Sequence, residues 1–184
     1  MTQVEDRIDN DGTDRDARPD PGWLDATERE AWLGLLRLIA RLPPLLDAQL
    51  ERSAGLSLFG YTILAMLSEQ SDGALRMNRL ATLISASPSR LSHAARQLEE
   101  QGLLVRSPDP DDGRCIRAVL TSDGRTLVDA AAPGHVATVR ALVLDPLGPG
   151  PLEAMAEGHE RILHRIDPDQ VTRPPWLATP GAVG

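Results

Sequence analysis

The sequence predicts a mainly α fold: a winged helix-turn-helix with a small β-hairpin wing and a helical dimerisation region. Three observations predict it. Met77, Leu80, Ala81 and Ile84 sit at i, i+3, i+4 and i+7, a short amphipathic helix, and the tight turn Ser85-Ala86 leads into a second one. Residues 103–106 and 115–120 then have strand character, and they flank a run of Ser, Pro, Asp and Gly that is turn chemistry throughout. Outside this block lie long helical patterns. With aromatic residues at 3% and hydrophobic residues at 41%, the core has to be built from Leu, Ala, Val and Ile.

Residues 1–22 are rich in Asp, Gly and Pro and cannot offset the entropy of ordering, so an acidic disordered tail is expected there. The folded part is expected at 23–166, with the reader at about 57–120 and dimerisation helices at about 25–52 and 121–166. Asp25 or Thr27 caps the first helix, whose apolar face is Trp32, Leu35, Leu36, Ile39 and Leu42. Pro43-Pro44 removes two amide donors and is expected to kink or break it before Leu45, Leu46 and Leu50 resume the face. Gly55 ends this element, and Ser57 caps the next, with Phe59, Ile63, Leu64 and Leu67 as its buried set. Ser71-Asp72-Gly73 reads as a loop.

Beyond the hairpin, Thr121 caps a helix reaching toward Leu144, with an interruption expected at Pro133-Gly134. Residues 145–151 read as a Pro/Gly loop. Leu152, Met155, Ala156, His159, Ile162, Leu163 and Ile166 form the apolar stripe of the last helix, which Asp167-Pro168 stops. Residues 167–184 are expected to be a Pro/Gly-rich tail with an isolated Trp176. The stripes at 32–50 and 152–166 exceed what one small reader can cover, which predicts a homodimer built from both chain ends.

The second helix of the pair carries the chemistry. Ser87-Pro88 opens it, because Ser accepts from orphan amides and Pro suits the first turn. It runs to about Gln101, and Gly102 supplies a left-handed stop. Leu91, Ala94, Ala95 and Leu98 share one face; Ser89, Arg90, His93, Arg96 and Gln97 share the other. Two guanidinium forks, an imidazole, an amide and a hydroxyl suit base edges and phosphates. Arg114 closes the hairpin tip, where a guanidinium can reach a flanking minor groove. Asp112 is expected to hold Arg114 extended through a carboxylate–guanidinium contact. The candidate DNA-binding residues are therefore Ser87, Ser89, Arg90, His93, Arg96, Gln97, Asp112 and Arg114.

Several of these residues fall into a known pattern. Asp112-Gly113-Arg114 followed by Leu120-Thr121-Ser122-Asp123-Gly124-Arg125 resembles the wing signature of the MarR family, an Asp-x-Arg and then Leu-Thr-x-x-Gly opening the next helix. Arg79-Leu80-Ala81, Ser89-Arg90-Leu91-Ser92 and Leu98-Glu99-Glu100-Gln101-Gly102-Leu103 are similar to the family's helix-turn-helix. The similarity covers roughly residues 31–166. It implies a dimeric transcription factor that binds pseudo-palindromic double-stranded DNA and responds to a small-molecule effector or to redox state, with the effector pocket between the dimer helices and the reader. It also implies a long continuous helix after the wing, from which Pro133-Gly134 is a departure.

Charge and composition set limits on other classes. The net charge is −8, yet residues 1–30 hold ten acids against four arginines, whereas residues 76–117 hold seven arginines against five acids. The acidity sits in the tail and the reader is locally basic, which predicts modest, salt-sensitive affinity for DNA. One cysteine excludes an intramolecular disulfide framework, and no apolar run reads as long enough to span a membrane, so a cytoplasmic chain without membrane association is expected. Cys115 has two readings: a thiolate favoured by neighbouring Arg114 and Arg117, or a passive strand cysteine, which is the default. His159 and His164 are five apart and do not share a face, so no metal site is expected. No phosphate loop, nucleophile elbow or cofactor motif is present, so neither an enzyme nor a cofactor is expected. The rival reading is a winged-helix protein-interaction module that does not read DNA, which the overall acidity favours.

Overall fold

The computed structural model describes residues 22–168; the expectations for residues 1–21, for 169–184 and for Trp176 fall outside them. The described residues form two compact units divided between Ala40 and Arg41. Helix α1 (Ala26–Ala54) opens with a reciprocal cap, in which Asp25 Oδ1 accepts the Glu28 amide and Glu28 Oε2 accepts the Asp25 amide, both at 2.8 Å. Pro43 and Pro44 lie inside α1 and do not break it. Residues 36–41 are exposed, so water can accept from the two carbonyls left without an amide partner.

In the second unit, Gly55 turns the chain at φ +65°, and Ser57 Oγ accepts the Gly60 amide at 3.0 Å to start α2 (Leu58–Ser68). Asp47 Oδ1 accepts the Leu58 amide at 2.8 Å and ties α1 to that start. Strand β1 (Ala74–Arg76), helix α3 (Met77–Leu83), helix α4 (Pro88–Glu100), strand β2 (Leu104–Pro108) and strand β3 (Ile116–Leu120) follow. The three strands form one antiparallel sheet in the order β1-β3-β2. Leu104 pairs with Leu120 and Pro108 with Ile116, and Ala74 to Arg76 pair with Val119 to Arg117.

The sheet is one strand larger than the hairpin expected. Residues 74–76 are too short to show alternation, and they run directly into α3, so their strand state is set by the edge of β3 that they meet. The core joins all these elements: Leu50, Ile63, Leu64, Leu67, Leu80, Leu91 and Leu104 are each fully buried. Ile116, two residues from buried Ala118 and so on the same face of β3, is exposed, because it sits at the tip end of the strand opposite Pro108.

Helix α5 (Ser122–Val139) runs through Pro133-Gly134 without the expected interruption. Pro133 leaves only the Asp129 carbonyl unbonded, and both residues are exposed to water. A π-helical turn (Arg140–Leu144) and a short helix α6 (Asp145–Leu147) continue it, so residues 122–147 form one helical run of 26 residues. This corrects two expectations. The loop predicted at 145–151 shrinks to Gly148, at φ +69°, and α7 (Pro149–Ile166) begins at once. The run is also long and apolar enough, by length and composition alone, to cross a membrane, contrary to the reading of the sequence. The whole of α7 has no buried residue; Ile162, Leu163 and Ile166 are all exposed.

Candidate nucleic-acid interface

Helix α4 is built as its sequence requires. Ser87 Oγ accepts the Arg90 amide at 3.3 Å and Pro88 occupies the first turn. Leu91, Ala95 and Leu98 are buried, which turns Ser89, Arg90, His93, Arg96 and Gln97 outward, and all five are exposed. Gly102, at φ +75°, ends the helix, where an L side chain would be strained. Glu99 fastens this end to the wing: Oε1 accepts the Arg106 amide at 2.8 Å, and Oε2 accepts Arg106 Nε and Nη2 at 2.9 and 2.7 Å. These bonds from Arg106, the backbone one first, hold the Glu99 carboxyl below the usual range.

The wing tip is organised by a residue that the sequence reading passed over. Asp109 is buried, with 7% of its side chain exposed, and its carboxylate accepts four bonds. Arg76 donates Nε to Oδ2 at 2.8 Å and Nη2 to Oδ1 at 2.9 Å. The amides of Asp111 and Asp112 donate to Oδ1 at 3.0 and 3.1 Å. The Arg76 pair, with these amides, lowers the Asp109 pKa to about 2. Its own amide donates to the Cys115 carbonyl at 2.8 Å, closing the loop.

Asp112 does not pair with the guanidinium of Arg114, as was expected. Its Oδ1 accepts the Arg114 backbone amide at 3.1 Å, and its carbonyl accepts the Cys115 amide at 2.8 Å. A carboxylate two residues away curls back on the chain more readily than it follows a long side chain. Cys115 Sγ lies 3.5 Å from Asp112 Oδ2, and this contact, with partial burial, pushes the thiol pKa up. The depression that Arg114 and Arg117 could have caused is overridden by the nearer carboxylate, so the thiolate is disfavoured and the default reading of a passive strand cysteine stands.

Arg76, Arg106 and Arg117 in this region are used internally: Arg76 with Asp109, Arg106 with Glu99, and Arg117 with Asp72 at 2.8 Å. Arg90 lies over the Phe59 ring, its Cζ 4.1 Å from the centroid. Arg96 and Arg114 form no ion pair among the described residues. Arg90 also lines an open cavity of about 430 Å³ with Pro43, Pro44, Asp47, Leu58, Phe59, Thr62 and Ile84. A second cavity, of about 300 Å³, lies between the helix pair and the wing, lined by Met77, Ala81, Leu91, Ser92, Arg106 and Ile116 among others. Behind the reader, α5 meets α2 where the His135 and Tyr61 rings stand 4.7 Å apart, with His135 Nδ1 3.3 Å from Gln49 Oε1. Burial lowers the His135 pKa.

Residues 56–116, from just before α2 into β3, match the model of the MarR family. The transcriptional repressor Rv2887 of Mycobacterium tuberculosis is 37% identical over 97 residues, which are 53% of this chain and 68% of that protein. The chain belongs to the MarR family. This is a family of transcriptional regulators, not of enzymes. Sco3205, a MarR family regulator from Streptomyces coelicolor solved in complex with DNA, is similar at a TM-score of 0.78 and 35% identity, over 85% of this chain and 98% of its own. AbsC from the same organism is similar at 0.76 and 35%, over 80% and 99%.

The MarR wing signature has a packing reason in this chain. Thr121 Oγ1 donates to the Gly102 carbonyl at 2.8 Å and accepts the Gly124 amide at 3.0 Å, so one hydroxyl joins the end of α4 to the start of α5. Gly124 lies so close to Leu103 that a Cβ there would collide with the Leu103 carbonyl. The residues that sequence reading missed in this MarR site are Phe59, Arg76, Glu99, Arg106 and Asp109. Asp109 had a signal, the Asp-Pro-Asp turn. Arg76 had none, since its partner lies 33 residues away.

Proposed function

We propose that this MarR-family chain is a sequence-specific regulator that binds a pseudo-palindromic operator as a homodimer, and that a small-molecule effector modulates it. Ser89, Arg90, His93, Arg96 and Gln97 on α4 enter the major groove, Ser87 meets phosphate at the helix start, and Arg114, aimed by Asp112, enters the flanking minor groove. The observation that carries this reading is the exposed face of α4 beside a wing whose Arg114 side chain forms no ion pair among the described residues. DNA in the Sco3205 structure supports it. The dimer is supported by the apolar residues left exposed on α1 (Trp32, Leu36, Ile39) and, in the other unit, on α7 (Ile162, Leu163, Ile166). A second copy that also covers Val136 and Leu142, exposed in the apolar run 122–147, would account for that run without a membrane. The cavity beside Arg90 suits a small anionic, partly apolar effector: its occupant would compete for the same guanidinium that α4 presents to DNA, and so bias two conformations with different affinities.

The internal pairing of three arginines leaves a small basic surface, and this favours a second reading, a winged-helix interaction module without DNA reading. Selection of duplexes from a random pool by the purified full chain separates the two. The regulator enriches an inverted repeat with half-sites about ten base pairs apart, centre to centre. A pool unchanged after selection leaves the interaction module standing.

A further inference from the structure

We infer that Arg76 and Asp109 are positioning residues that fix the distance from the reader helix to Arg114, and with it the spacing on DNA between the core motif and the flank. The inference rests on the DNA-binding reading above and adds a determinant to it. Arg76 is the residue that precedes the first turn of α3, the helix that packs on α4. Its guanidinium grips both oxygens of Asp109, the residue at which the chain leaves β2 for the wing tip. Asp109 in turn holds the amides of Asp111 and Asp112, and Asp112 holds the amide of Arg114. Hydrogen bonds thus run without a gap from the helix pair to the residue at the tip. A hairpin tied only by its strand ladder could swing at its end; this one is tied at the end as well. A two-bond fork fixes direction as well as distance, which a point charge would not.

The pair makes opposing predictions for charge and for geometry. Asp109→Asn removes a negative charge near DNA, so electrostatics alone would raise affinity on every sequence. It keeps an oxygen for the Asp111 and Asp112 amides and for Arg76 Nη2 but sets an NH₂ against Arg76 Nε, so the two-bond fork is reduced to a single bond. Arg76→Lys keeps the charge of the other partner and also loses the fork.

The experiment is duplex selection with the full chain, its Asp109→Asn and Arg76→Lys variants, and Arg114→Ala as reference. Both variants are expected to return the wild-type core motif, with flank enrichment reduced roughly threefold or more and the core-to-flank distance spread over several base pairs. Arg114→Ala should lose the flank altogether. Circular dichroism reports folding, and if Asp109→Asn does not fold, the Arg76→Lys profile decides. Wild-type flank and spacing in the folded variants would overturn the inference, as would a loss of core and flank in equal proportion. If the wild-type chain enriches nothing, it is the DNA-binding reading that fails first, and this inference with it.

Discussion

The guanidinium of Arg90 lies over the ring of Phe59, Cζ 4.1 Å from its centroid, while Arg96, six residues further along α4, has no such neighbour among the described residues. The two forks that the sequence treats alike are therefore in different states. Leaving the ring costs Arg90 about 0.5–1 kcal/mol. Arg96→Ala should relax preference at one base position by roughly 1–3 kcal/mol, and Arg90→Ala should weaken binding evenly across sequences. Affinities for the selected duplex and its single-base variants check this. A position-specific loss for Arg90→Ala with an even loss for Arg96→Ala would reverse the assignment.

The contact between Asp112 and the Arg114 amide changes what Asp112 does. It shapes the tip and leaves the guanidinium free for DNA. Arg114→Ala should weaken binding most on operators with A·T-rich flanks and leave the core motif unaltered. Asp112→Ala should act in the same direction more mildly, without loss of fold. Titrations on paired operators with A·T or G·C flanks measure both, and equal affinity of wild type and Arg114→Ala on the A·T pair would remove the wing from the mechanism.

Gly124 is fixed by space, since a Cβ would meet the Leu103 carbonyl and the Leu120 side chain. Gly124→Ala should destabilise by about 1–3 kcal/mol, because neither the β2 backbone nor the buried start of α5 can move far. Urea unfolding should show a lower midpoint with the slope unchanged. A midpoint equal to that of wild type would mean that α5 shifts freely, and the join between wing and arm would then be loose.

Much of this site was legible in the sequence, for local reasons. The caps at Ser57, Ser87 and Thr121 and the inner face of α4 depend on residues a few positions apart, and they stand where spacing put them. What was missed depends on distance or on solvent. The three residues of β1 are a strand because β3 lies beside them, and Arg76 meets Asp109 only once that sheet forms. Pro43, Pro44 and Pro133 remain inside helices because water can accept from the carbonyls they orphan, a compensation that depends on exposure and not on propensity. The default reading of Cys115 as a passive strand cysteine holds, but its reason, the Asp112 carboxylate that touches the sulfur, depends on how the turn folds and was not legible.

The exposed stripe of α7 predicts assembly. Deleting residues 152–184 should yield a monomer or an aggregate, because Ile162, Leu163 and Ile166 then no longer cover a second copy. Light scattering on the purified truncation decides it; a well-folded dimer would place the interface elsewhere.

The central claim is that α4 and the wing bind DNA through a small set of arginines. The most direct measurement is the salt dependence of binding to duplex DNA by the full chain. The account predicts that log K falls steeply and linearly with log salt, with a slope of about −0.9 per phosphate neutralised, and that Arg114→Ala makes it shallower by about one. No binding to duplex at low salt, or an affinity indifferent to salt and to Arg114, would contradict it.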